Sequence, residues 1–105
     1  MRTLEKAYPK LLRYISLGKS YGGRDIAAMV GNNPDTGPDT SKPAMYIDGN
    51  IHGNEVQAAE VVAYTAWYLC HQYGRLDKVT ELLDHCVFYL IPTINPDGRD
   101  RWLRQ

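Results

Sequence analysis

Cysteine is scarce in this sequence. Two residues in 105 are too few for a disulfide scaffold, and they do not fix the redox compartment. No apolar run approaches the roughly 20 residues that span a bilayer. The opening MRTLEKAYPK lacks the apolar stretch of a signal peptide. Either the chain is cytoplasmic as it stands, or Met1 lies inside a longer polypeptide. Neither sign of charge is in excess, since 12 Lys and Arg balance 12 Asp and Glu. Nothing therefore favours nucleic acid or a membrane, and no acidic tail is present. Internal repeats and low-complexity tracts are missing too. What remains is 44% hydrophobic and 23% charged, the make-up of an ordinary globular chain no more than one domain long.

Leu4, Ala7, Leu11 and Leu12 have helical spacing, interrupted by Pro9. Proline lacks an N–H and clashes with the preceding turn. A short helix over 3–7 and a proline-started turn over 9–12 are predicted. So short a helix at the first residue suggests a missing N-terminal piece. Residues 13–20 alternate, Tyr21-Gly22-Gly23 turns, and 25–30 is apolar again, which reads as a β-hairpin. Residues 31–43, rich in Pro, Gly, Asp and Asn, read as a loop. Ala44-Met45-Tyr46-Ile47 is apolar on both faces, as in a buried parallel strand.

Asn54 followed by Gln57 has the form of a capping box. From 55 to about 73 the spacing predicts a long, largely buried helix, with Tyr64, Trp67 and Tyr68 in the core and Gly74 as its stop. Leu76, Val79, Leu82 and Leu83 predict a second, shorter helix. Residues 86–91 are the most strand-like of the chain and end at Pro92. Asn95-Pro96-Asp97-Gly98 reads as a turn, and 99–105 as a polar tail that closes nothing. Strand, helices, strand implies a right-handed crossover and parallel pairing. The fold class is thus α/β, a mixed parallel and antiparallel sheet of about four strands with helices packed on it.

The informative stretch is DGNIHGNE, residues 48–55, between the carboxyl end of a strand and the start of a helix. Open α/β sheets place their ligand sites at that end. His52 and Glu55, three apart, fall on one side of a first helical turn. An imidazole and a carboxylate make a two-ligand start for zinc, and Gly49 and Gly53 let the backbone bend beside an ion. HxxE alone equally suits a solvated helix N-terminus, with Glu55 favoured there by the helix dipole.

DGNIHGNEVQAAE resembles the HxxE zinc motif of the M14 metallocarboxypeptidases, in the branch where it reads HGNE. Two further likenesses lie in order. LGKSYGGRDI, residues 17–26, resembles the GxSxxGRxI hairpin upstream of that motif, and PTINPDGRDRW, residues 92–102, resembles the NPDG turn downstream. Tyr8-Pro9 also fits the pattern. The resemblance implies that His52 and Glu55 are two ligands of one zinc ion per complete domain. It implies a peptide substrate with a free C-terminal carboxylate. The third ligand, the catalytic glutamate and the carboxylate-holding arginines of the family lie further downstream. No catalytic residue is therefore assigned within these 105. The chain reads as the N-terminal part of one incomplete zinc-carboxypeptidase-like domain, inactive alone and open to self-association.

By the same resemblance Asn54, Asn95 and Asp97 shape the cleft. Asn54 stands where other branches carry arginine, so their substrate rules are not carried over. Neither other histidine reaches the site. His71 is about 16 residues, or roughly 24 Å at 1.5 Å per residue, beyond Glu55 on the same helix. His85 precedes the last strand, at the far edge of the sheet. Cys70, His71, His85 and Cys86 could form a separate metal site or a disulfide, against the plainer reading of the cysteines as small buried apolar residues. Arg99 and Arg101 read as solvated loop charges. Two rival readings stay open: an M14-like zinc deacylase of N-acyl amino acids, of the aspartoacylase or succinylglutamate desuccinylase type, and a non-catalytic binding domain of the same fold.

Overall fold

The hairpin organises the sheet. In the computed structural model, which describes every residue from Met1 to Gln105, β1 (Leu12–Lys19) and β2 (Asp25–Gly31) pair antiparallel, with Leu12 opposite Gly31 and Ser16 opposite Ala27. The register shifts between Ser16 and Lys19, where Gly18 takes φ +121°. β3 (Ala44–Asp48) and β4 (Val87–Ile91) run parallel, Ala44 opposite Val87 and Asp48 opposite Ile91. The strand order is β1-β2-β4-β3, a mixed four-stranded sheet as the sequence implied.

A parallel pair needs a long connection. Here it is α2 (Val56–Gln72) followed by α3 (Asp77–His85). Ala59, Val62, Ala66, Leu69 and Cys70 of α2 are buried, a stripe at helical spacing. Val62, Ala66, Leu69 and Cys70 meet Met29 of β2 and Phe88 and Leu90 of β4, with Val79 and Leu83 of α3 closing the cluster. Met29, Leu90 and Ile47 form one cross-strand row under that stripe. Gly74 at φ +79° stops the chain after α2 in the left-handed conformation that glycine takes freely.

Four expectations are corrected. β3 is not buried on both faces. Only Ile47 is half-buried, because β3 is an edge strand with β4 on one side and nothing on the other. Of the aromatic residues expected in the core, Tyr64 and Tyr68 are exposed and Trp67 is half-buried, stacked on the His71 ring at 4.8 Å. The stripe of small and aliphatic residues takes the inner face and leaves the rings outside. No capping box forms, since the N-cap of α2 is Glu55 and its side chain caps nothing. Finally, the expected turn and tail form a helix, α4 (Pro96–Leu103). The Asn95 side chain caps it by accepting from the Gly98 N–H at 3.0 Å, and Pro96 occupies the first helical position, where its fixed φ suits the helix.

At the N-terminus α1 (Arg2–Ala7) lies beside β1. The loop after β2 is drawn together by the Lys42 ammonium, which donates to Asn32 Oδ1, Thr36 Oγ1 and the Asn33 carbonyl at 2.6–2.9 Å.

Candidate metal centre

β3 and β4 end side by side, so the segments that follow them leave from one edge of the sheet. Gly49 N–H donates to the Ile91 carbonyl at 3.0 Å, and Ile94 N–H to the Gly49 carbonyl at 3.1 Å. The exit is tight: a Cβ on Gly49 would stand 2.8 Å from the Ala58 carbonyl oxygen of α2. Asn50 follows at φ +59°, 1% exposed. Asparagine is one of the few residues that visit this left-handed region, because its short amide bonds locally. Here Nδ2 donates to the carbonyls of His52 at 2.8 Å and Gly53 at 3.3 Å. Glu55 N–H closes the bend on the His52 carbonyl at 3.0 Å.

That bend brings His52 and Glu55 together just ahead of α2, rather than within its first turn. His52 Nδ1 is 3.1 Å from each carboxylate oxygen of Glu55. Two donors about 2.1 Å from a zinc ion, near the tetrahedral angle, stand roughly 3.4 Å apart. The observed separation is close to this, and the donor types are those zinc takes, so the pair fits the metal. Both side chains face solvent, His52 73% and Glu55 52% exposed. No third His, Cys, Asp or Glu joins them.

The other candidates are placed as follows. Asn54 is exposed at the loop tip. Asn95 caps α4 and donates from Nδ2 to the Ile51 carbonyl at 2.9 Å. Asp97 faces the β1–β2 turn, accepting from Gly22 N–H and Ser20 Oγ at 2.8 Å and pairing with Arg24 at 2.9 Å. These partners, the Gly22 N–H foremost, hold its carboxyl below the ordinary carboxylate range. Arg99 is not a solvated charge. Its side chain is 26% exposed, donates to Asn50 Oδ1 at 3.4 Å and the Val56 carbonyl at 3.3 Å, and stands 3.7 Å from Glu60. Arg101 is exposed.

Cys70, His71, His85 and Cys86 form no metal cluster, and both thiols are free. Cys70 belongs to the core, and burial pushes its thiol up to about 11. His71 Nδ1 lies 3.5 Å from the Tyr8 hydroxyl. Sequence reasoning missed Asn50, Arg24 and the backbone contact between Gly53 and Gly98. A Cβ on Gly53 would fall 2.3 Å from Gly98 C and O. Two glycines, each beside a motif already marked, were the signal for that contact.

The zinc carboxypeptidase (peptidase M14) family model matches residues 1–104. The inactive metallocarboxypeptidase ecm14 of Sclerotinia sclerotiorum is 37% identical over 101 residues, covering 93% of this chain and 17% of its own length. Human carboxypeptidase D is 35% identical over 102 residues, 96% of this chain and 7% of its own. Among solved structures, thrombin activatable fibrinolysis inhibitor superposes with a TM-score of 0.82 at 26% identity, over 95% of this chain and 24% of its own. The chain thus spans less than a quarter of each of these relatives, and it belongs to the M14 zinc carboxypeptidase family.

Proposed function

We propose that this chain is the N-terminal portion of a zinc-dependent carboxypeptidase domain, which removes C-terminal residues from peptides, and that His52 and Glu55 are two of its zinc ligands. The observation that carries the reading is the convergence of His52 Nδ1 and both Glu55 oxygens, 3.1 Å apart, at the carboxyl edge of the parallel pair. A bound zinc ion supplies Lewis-acid polarisation of the scissile carbonyl and acidifies water. The chain's own contribution is to fix two ligands. Asn50 holds the carbonyls of 52 and 53, and Glu55 N–H closes the loop, so the imidazole and carboxylate meet without help from packing. The rest of the catalytic machinery is assigned to polypeptide beyond these residues. Catalysis without a positioned general base forgoes about 10²–10⁴-fold in rate, so the 105 residues alone are inactive.

A second reading has one observation behind it: the Sclerotinia relative, at 37% identity, carries the name of an inactive metallocarboxypeptidase. On that reading the domain binds peptide carboxylates without cleaving them. The test uses the complete domain, with Glu55→Ala beside it. Release of a C-terminal residue from a peptide, abolished by a chelator and by Glu55→Ala, supports the peptidase. Hydrolysis confined to N-acyl amino acids replaces it with a deacylase. No hydrolysis with zinc loaded and His52→Ala uptake reduced supports the binding domain.

A further inference from the structure

The zinc ligands are exposed, and no side-chain packing fixes them. Their separation is set by the backbone of residues 50–56, which has no regular hydrogen-bonding pattern to stiffen it. Two anchors flank the pair. Before His52 stands Asn50, whose amide nitrogen is committed to the carbonyls of 52 and 53. After Glu55 stands the Val56 carbonyl, at the first turn of α2. One side chain touches both. Arg99 Nη1 reaches Asn50 Oδ1 at 3.4 Å and Val56 O at 3.3 Å, bracketing the ligands from behind.

Arg99 is itself held. It sits on α4, whose cap Asn95 grips the Ile51 carbonyl and whose Gly98 lies against Gly53. α4 is tied in turn to the hairpin by Arg24, which pairs with Asp97 at 2.9 Å and Asp100 at 2.5 Å. The three separated sequence motifs therefore form one mechanical chain, from hairpin to α4 to ligand loop.

Resting on the zinc reading above, we infer that Arg99, acting through Asn50, is the positioning residue that presets the His52–Glu55 pair for a metal ion. The sign of its effect sets this apart from simple electrostatics. A guanidinium near a dication repels it, so removing the charge would tighten binding if charge were all that mattered. Positioning demands the opposite. Removal of groups that orient metal ligands typically costs about 10–100-fold in metal affinity.

The experiment is a Zn²⁺ titration of the 105-residue chain, followed by the His52 ring resonances and by isothermal calorimetry, with melting temperatures in parallel. Asn50→Gly keeps the left-handed backbone available and removes only the amide. It is expected to melt near the parent and bind Zn²⁺ about 10-fold or more weaker. Arg99→Met is expected to weaken binding as much, and Arg99→Lys to restore part of it through one of the two contacts. Arg101→Met, the same charge change on the exposed side of α4, is expected to leave affinity unchanged. Parental or tighter binding in Arg99→Met, or equal losses in Arg99→Met and Arg101→Met, overturns the inference. If His52→Ala binds Zn²⁺ like the parent, the metal reading falls and this inference with it. If His52→Ala loses binding while Asn50→Gly and Arg99→Met keep it, only this inference falls.

Discussion

At the scale of single residues, the loop that carries His52 and Glu55 depends on what is missing from Gly53. A methyl there would meet Gly98 backbone atoms at 2.3 Å, and backbone cannot swing aside as a flexible side chain can. Gly74 offers the contrast, with φ +79° and nothing within 4 Å of an added Cβ. Alanine at 74 is strained only in its own dihedral, about 1–2 kcal/mol. Alanine at 53 must push α4 off the loop, an overpacking cost of about 1–3 kcal/mol, and it moves the residue between His52 and Glu55. Gly53→Ala is therefore expected to lose both stability and Zn²⁺ affinity, and Gly74→Ala stability alone, in urea unfolding and zinc titration. Equal zinc affinity in the two variants would refute the close-contact argument.

At the scale of elements, α4 is joined to the hairpin by charge, and that joint should be legible in pH. Asp97 accepts from the Gly22 N–H first of all, then from Ser20 and Arg24, and its carboxyl is held below the ordinary 3.8. A carboxyl whose pKa is depressed by folding stabilises the fold above its unfolded value, and that contribution fades as pH falls through the folded value. Asp25, bonded by Ser16 and Tyr14, and Asp84, bonded by Asn33 and Tyr73, act in the same direction. The parent should lose stability on acidification below about pH 4. Asp97→Asn should be weaker near neutrality and lose less on acidification, measured by urea unfolding across that range. An unchanged pH slope would show that Asp97 is not linked to folding. This joint also marks how far the sequence could be read. Hairpin, helices and strands were legible because hydrophobic period and Gly or Pro punctuation are local signals. The approach of His52 to Glu55 was legible because three residues of spacing is local too. The partnership of Arg24 with Asp97 crosses 73 positions and that of Arg99 with Asn50 crosses 49, and no local pattern encodes either. α4 itself was misread because Asn-Pro-Asp-Gly suits a turn as well as it suits a cap, a first-turn proline and an interior glycine, the last weakening helix by about 1 kcal/mol.

At the scale of the whole molecule, the chain is elongated. Its radius of gyration is 14.2 Å with extents of 44 × 23 × 23 Å, where about 13 Å is usual for this length. Both sheet edges are open, but they are not alike. β1 is guarded: Tyr14 N–H donates sideways to Glu5 Oε1 at 3.1 Å, Arg13 and Lys19 carry charge along it, and the irregularity at Gly18 breaks its line. Charges, bulges and covered N–H groups are the usual defences of an edge strand. β3 has none of these between Ala44 and Ile47. Met45 is 53% and Tyr46 56% exposed. An unpaired apolar edge is a template for another strand. In the 105-residue chain the available strand is that of a second copy. Antiparallel pairing about Tyr46 would set Met45 of one chain opposite Ile47 of the other, on the face that α2 covers. Sedimentation at rising concentration should therefore show association, and Met45→Lys should shift the chain toward monomer while Ser16→Lys on β1 leaves it unchanged. A concentration-independent monomer would mean that β3 needs no cover. Equal dispersal by both lysine variants would mean that net charge, not the β3 edge, governs the association.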